Sequence, residues 1–123
     1  MNERKENVLL TKSFVFAIKI VQIYQYLKES NKEYILSKQL LRSGTAVGAL
    51  VREAQNAESK LDFIHKLGIA QKECDESIYW LELLKETNFL KEEDFENLKS
   101  DATALLKIIK SSILTVKQKI HHS

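Results

Sequence analysis

The chain has no proline and only three glycines in 123 residues. Nothing in it therefore forces a helix to kink or stop, and its turns must be made by other residues. Cys74 is the single cysteine. That excludes an internal disulfide and fits a reducing cytoplasm. Aromatic residues make up 8%, and neither sign of charge dominates, the formal net charge being +2. No apolar run is expected to approach the ~18 residues needed to cross a bilayer. The opening MNERKENVLL carries both charge signs and no small-residue cleavage site, unlike a signal peptide. The expectation is a soluble cytoplasmic protein with no membrane segment.

What is present favours helices. Hydrophobic residues are 44% and charged residues 29% of the chain, a balance that suits long amphipathic helices better than a sheet. The length suits one domain, residues 1–123, with one core, folding alone or completed by an oligomer.

The organising stretch is ILSKQLLRSGTAVGALVREAQNAESKLDFIHKLGIAQKECDESIYWLELL, up to Leu84. Apolar residues recur in steps of three and four at Leu36, Leu40, Val47, Leu50 and Val51, and Ala54, and again at Ile64, Leu67, Cys74, Ile78 and Leu81. Between the two runs, Ser59 with Asp62 forms a capping box that opens a new helix. Two helices so closely joined make an antiparallel hairpin.

Flanking helices complete a set of four. The first is expected over residues 8–29, with two apolar stripes. One is Leu10, Phe14, Ala17, Val21 and Tyr24; the other is Phe16, Ile20, Ile23 and Leu27. A peripheral helix needs only one such face, so Phe16, Ile20, Ile23 and Leu27 are read as a subunit interface, with Tyr79 and Trp80 beside them. The second helix is capped near Ser37 and holds Gly44 and Gly48 on one face, a sign of close approach by a neighbour. The third runs from about Lys60 to Glu86, with an inner stripe of Leu61, Ile64, Leu67, Cys74, Ile78 and Leu81, and ends at Thr87-Asn88. The fourth opens with Glu92, Glu93 and Asp94 and continues with Phe95, Leu98, Ala102, Leu105, Ile109, Ile113, Val116 and Ile120. Short turns between long helices predict an all-α, antiparallel up-down-up-down four-helix bundle.

Several short motifs stand in a telling order: Leu36-Ser37-Lys38-Gln39-Leu40-Leu41-Arg42-Ser43-Gly44-Thr45, Val47-Gly48-Ala49, Arg52-Glu53-Ala54, Ser59-Lys60, Asp62-Phe63, Lys66-Leu67, Ile69-Ala70, Glu73, Glu76 and Tyr79-Trp80-Leu81. In order and spacing they resemble the 23S rRNA intervening-sequence proteins, often encoded inside insertions in bacterial large-subunit rRNA genes. The resemblance runs from Asn7-Val8-Leu9-Leu10 to the last helix. It implies a non-catalytic four-helix bundle linked to RNA by genomic position, and a cyclic homo-oligomer, notably a pentamer. The accessory protein of diversity-generating retroelements is similar too, which implies an alternative role as a protein scaffold or reverse-transcriptase subunit. The chain departs from the family at Leu50, where Asn is usual, and a leucine cannot take over a polar role of that Asn.

No catalytic, cofactor or metal site is expected. A di-iron bundle needs paired Glu-x-x-His motifs, and only Asp62-Lys-Leu-His65 comes near. His121 and His122 are terminal, Cys74 falls on an inward stripe, and no nucleophile has a base beside it. Charge is unevenly distributed. Residues 1–51 hold eight Lys/Arg against four Asp/Glu, residues 52–101 seven against thirteen, and residues 102–123 four against none. In an antiparallel bundle Arg4, Lys5, Lys12, Arg52, Lys60, Lys66, Lys110, Lys117 and Lys119 gather towards one end. Such an end could hold phosphates of RNA or another nucleic acid without reading sequence. The same lysines would also simply solvate the surface and suit the negative end of the last helix.

Overall fold

The computed structural model describes the backbone of residues 3–121 and the side chains of residues 8–121. Four helices follow one another: α1 (Glu3–Ser30), α2 (Leu36–Gln55), α3 (Lys60–Glu86) and α4 (Glu92–His121). Among the described residues there is no strand. The helix pairs in contact are α1–α2, α2–α3, α3–α4 and, most lightly, α1–α4. This is the expected up-down-up-down bundle.

Each end is set by local chemistry. Ser59 Oγ accepts from the Asp62 amide at 3.0 Å, and the Asp62 carboxylate accepts from the Glu58 amide, so the α3 cap forms as read. At the other end of α3, Asn88 takes a left-handed φ of 66°, and the Phe89 amide donates back to the Leu84 carbonyl at 2.9 Å. The start of α2 differs from expectation. Its cap is not Ser37 but Glu33, whose carboxylate accepts from the amides of Ile35, Leu36 and Ser37. The Ser37 hydroxyl instead donates to the Glu33 carbonyl. The turn between α1 and α2 is tied to the turn between α3 and α4 by Asn31, which donates to the Phe89 carbonyl.

The core corrects the reading of α1. Leu9, Phe16, Ile20 and Leu27 are fully or almost fully buried within the protomer. Phe16, Ile20 and Leu27 are thus core residues and not a subunit interface, and Ile23 packs half-buried beside them. Of the other stripe, Phe14 is 55% and Val21 38% exposed, with Ile18 beside them at 43%, while Leu10, Ala17 and Tyr24 are half-buried. Ser13 lies on the inner face, its hydroxyl donating to the Leu10 carbonyl and its backbone close to Gly48 of α2. The doubled apolarity also makes Val8–Ser30 long and apolar enough to cross a membrane by length and composition, contrary to expectation, although one of its faces is spent on the bundle core.

In α3, Leu61 is 70% exposed and Ile64 and Ile78 only half-buried, so the inner stripe is Phe63, Leu67, Ala70, Cys74, Ser77, Leu81 and Leu84. Ser77 faces Ser43 across the α2–α3 seam at 2.9 Å, a buried hydroxyl pair that also uses backbone carbonyls. Burial pushes the Cys74 thiol up to about 12, and its Sγ lies 3.4 Å from the Ala102 carbonyl, so it is an inert core group.

The glycine pair permits the close approach of α1 and α2. A Cβ at Gly44 would lie 2.8 Å from Ile20 Cγ1, and one at Gly48 would lie 3.2 Å from the Ser13 carbonyl oxygen. Because Ile20 is fully buried, it has little room to yield. Gly44→Leu should therefore cost about 1–3 kcal/mol through overpacking. Nothing stands within 4 Å of a Cβ at Gly68, so Gly68→Ala should raise stability by roughly 0.5–1 kcal/mol. Thermal melts of the two variants should move in opposite directions, and equal shifts would refute the packing role of Gly44.

Candidate nucleic-acid interface

The expected basic end resolves into two pairs of lysines and several residues that are occupied otherwise. Lys60, at the start of α3, and Lys119, in the last turns of α4, line one groove of about 270 Å³. Lys110 and Lys117, two turns apart on α4, line a second groove with Gln71 of α3. All four are exposed and form no ion pair among the described residues. Lys110 is eleven residues before the end of α4, so it stands ~16 Å up the flank of the bundle.

The remaining residues divide differently. Lys66 pairs with Glu53 at 3.2 Å. Arg52 lies 5.9 Å from the centre of the Phe14 ring, on the α1–α2 side and not beside the α4 lysines. Lys12 is exposed on α1. The side chains of Arg4 and Lys5, and the whole of His122, lie outside the described residues.

The opposite end is acidic, and two lysines set among the acids pair with Glu82, Glu86 and Glu92. Lys85 pairs with Glu92 at 3.2 Å and stands 4.7 Å over the Phe95 ring, and Lys99 pairs with Glu82 at 3.7 Å. The hydrogen bond from Lys85 holds the Glu92 carboxyl below its ordinary value. On the α2–α3 face the Arg42 guanidinium reaches both Glu73 and Glu76, and Glu76 also accepts from Trp80 Nε1 at 2.9 Å. Hydrogen bonding to Glu73 raises the Arg42 pKa. Trp80 is thus held half-buried, with Tyr79 edge-on to it at 5.0 Å and 56% exposed. Leu50, where Asn is usual, packs half-buried against the core.

Sequence reasoning missed the exposed stripe of Phe14, Ile18 and Val21 and the apolar floor of the Lys60–Lys119 groove. Ser13 on one stripe of α1 was the available signal for the first. The second had none, because the groove is formed by segments that meet only in the folded bundle. Among the described residues no group of three His, Cys, Asp or Glu is placed to hold a metal ion.

The family model described as 23S rRNA-intervening sequence protein matches residues 5–111. The chain belongs to that family. A crystal structure of a protein of unknown function from the S23 ribosomal protein family of Bacteroides thetaiotaomicron is 48% identical, with a TM-score of 0.88. The match covers 89% of this chain and 97% of that one. No curated protein matches. Much of what this family member shares with the resemblance noted in its sequence is structural: Arg42, Ser43, Gly44, Glu73 and Glu76 serve the seams of α2 with its neighbours, and Trp80 donates to Glu76 within α3.

Proposed function

We propose that this intervening-sequence family protein is a non-catalytic nucleic-acid-binding protein that holds phosphates of RNA on the basic part of α3 and α4. The observation that carries the reading is the pairing of Lys60 with Lys119 and of Lys110 with Lys117 along two grooves, none of the four being neutralised among the described residues. Exposed ammonium groups with no ion pair among the described residues have no protein partner to give up before they meet a phosphate, and their binding releases counterions from the phosphate chain. Binding of this type is electrostatic, indifferent to sequence, and weakened by salt.

Changing Lys110, Lys117 and Lys119 to Gln should weaken binding to unrelated RNAs about equally and flatten the salt dependence, at about 0.7 logarithmic units for each lost contact on a single strand. Folding should be almost unchanged, since exposed charges contribute little stability. Titration at several salt concentrations tests this, with Glu92, Glu93 and Glu96 to Gln as the control that should not weaken binding. A triple lysine variant that binds as tightly as the parent at low salt rules the reading out.

A second reading, a scaffold that assembles with itself or another protein such as a reverse transcriptase, is favoured by the outward face of α1. Phe14 lines a groove of about 480 Å³ between α1 and α2, with Gly48 and Ala49 in its wall, and Ile18 and Val21 are exposed further along α1. Apolar surface of this kind on a long helix suits self-association, a ring of five included. Ile18→Glu with Val21→Glu should then give a helical monomer where the parent is an oligomer. Light scattering that finds the parent monomeric at micromolar concentration would remove this reading.

A further inference from the structure

Building on the nucleic-acid reading above, we propose that the groove between the α2–α3 turn and the end of α4 receives one unpaired nucleotide, so that the protein selects single strands over duplexes. The groove has two characters. Ala54, Phe63 and Val116, all buried at 9% exposure or less, give it an apolar floor, and Lys60 and Lys119 stand at its rim. An anion alone has no use for that floor, and an apolar ligand has no use for two ammonium groups that form no ion pair among the described residues. A nucleotide has use for both, with its flat base against the floor and the flanking phosphates beside the lysines.

Size and polar groups narrow the occupant further. At about 270 Å³ the space is just below the usual span of ligand pockets, which begins at roughly 300 Å³. It suits one base and not a stacked run. Gln55, also in the groove, donates its amide N–H to the Val51 carbonyl, which leaves its side-chain oxygen as an acceptor. Ser59 Oγ accepts from the Asp62 amide, which leaves its hydroxyl proton to donate. One acceptor and one donor at the rim can meet the edge of an extruded base. In a duplex those edges are paired and the faces stacked, so a duplex reaches the two lysines with its phosphates but leaves the floor empty.

The test compares a short single-stranded RNA with the blunt duplex it forms with its complement, by fluorescence anisotropy at low salt. The parent protein should bind the single strand about tenfold more tightly, the scale of one accommodated base. Ala57, half-buried on the turn side of the groove, offers a way to fill it without changing charge. Ala57→Phe should reduce single-strand affinity to the duplex level and leave duplex binding unchanged, while Lys60→Gln with Lys119→Gln should weaken both. Equal affinity of the parent for the two RNAs, or an Ala57→Phe variant that keeps the preference, overturns the proposal while leaving phosphate binding intact. Failure of the parent to bind either RNA sinks both readings. Photocrosslinking of the parent to a thiouridine-bearing single strand needs no variant: adducts within residues 54–63 and 116–119 support the groove, and adducts confined elsewhere refute it.

Discussion

Replacing Phe16 with Ala should cost about 3–5 kcal/mol of folding stability, the usual range for emptying a large aromatic site in a packed core. Phe16 is 1% exposed and sits in the same cluster as Ile20 and Leu27, filled from the protomer itself. The surroundings cannot close the space readily, because α1 is already drawn against α2 at Gly44 and Gly48. The variant should therefore unfold earlier in denaturant without first dissociating. Changes at Ile18 and Val21 should do the reverse, altering assembly and sparing the protomer. Equilibrium denaturation at two protein concentrations separates the two behaviours. A Phe16→Ala protein that melts like the parent but loses assembly would return Phe16 to the interface.

The next largest effect is expected at Glu33. Its carboxylate, in a residue 7% exposed, accepts three backbone amides at 2.7–3.0 Å and so satisfies most of the free donors at the start of α2. Glu33→Ala should cost about 2–3 kcal/mol, above an ordinary cap, because three amides lose their partner in a poorly hydrated place. Burial alone would raise the carboxyl's pKa, but the amides of Leu36, Ser37 and Ile35 together with the Ser37 hydroxyl outweigh it. The net value lies below the ordinary 4.5. The folded state therefore binds this proton less readily than the unfolded chain. Its stabilising contribution is complete above the ordinary value and disappears as pH falls through the lower folded value. Stability measured in urea across the acid range should show the gap between parent and Glu33→Gln narrowing as pH falls below about 4.5. A gap independent of pH would show that the charge is not what holds the turn.

Where a feature is local, it was legible in the sequence. Ser59 with Asp62 announced the start of α3, Asn88 its end, and the periodic run from Phe95 to Val116 the inward face of α4. Where the choice depended on a neighbour, it was not. Both stripes of α1 are apolar, and the buried one is the face that also carries Ser13, set against Gly48 on another helix. In α3, following large apolar residues led to Leu61, while the real stripe runs through Ala70 and Ser77. Buried serines interrupt a hydrophobic pattern without leaving the core, because a hydroxyl returns its proton to a carbonyl of the preceding turn. Of the candidate site, the charges were legible and their partners were not. Lys66 and Arg52 look like Lys60 in the sequence, but each has a companion that only the fold supplies.

The order in which the helices touch one another has a kinetic meaning. Among the described residues contacts join α1 to α2, α2 to α3 and α3 to α4, and the light α1–α4 seam links the first helix to the last. Each helix can thus dock on one that has just preceded it, at the small entropic expense of closing a short loop. Topologies with so few remote pairings fold in microseconds to milliseconds. With no proline in the chain, no peptide bond has to wait tens of seconds for isomerisation. Closure of α1 against α4 is the one step that must bring distant segments together, and it is the step on which the bundle spends the least contact.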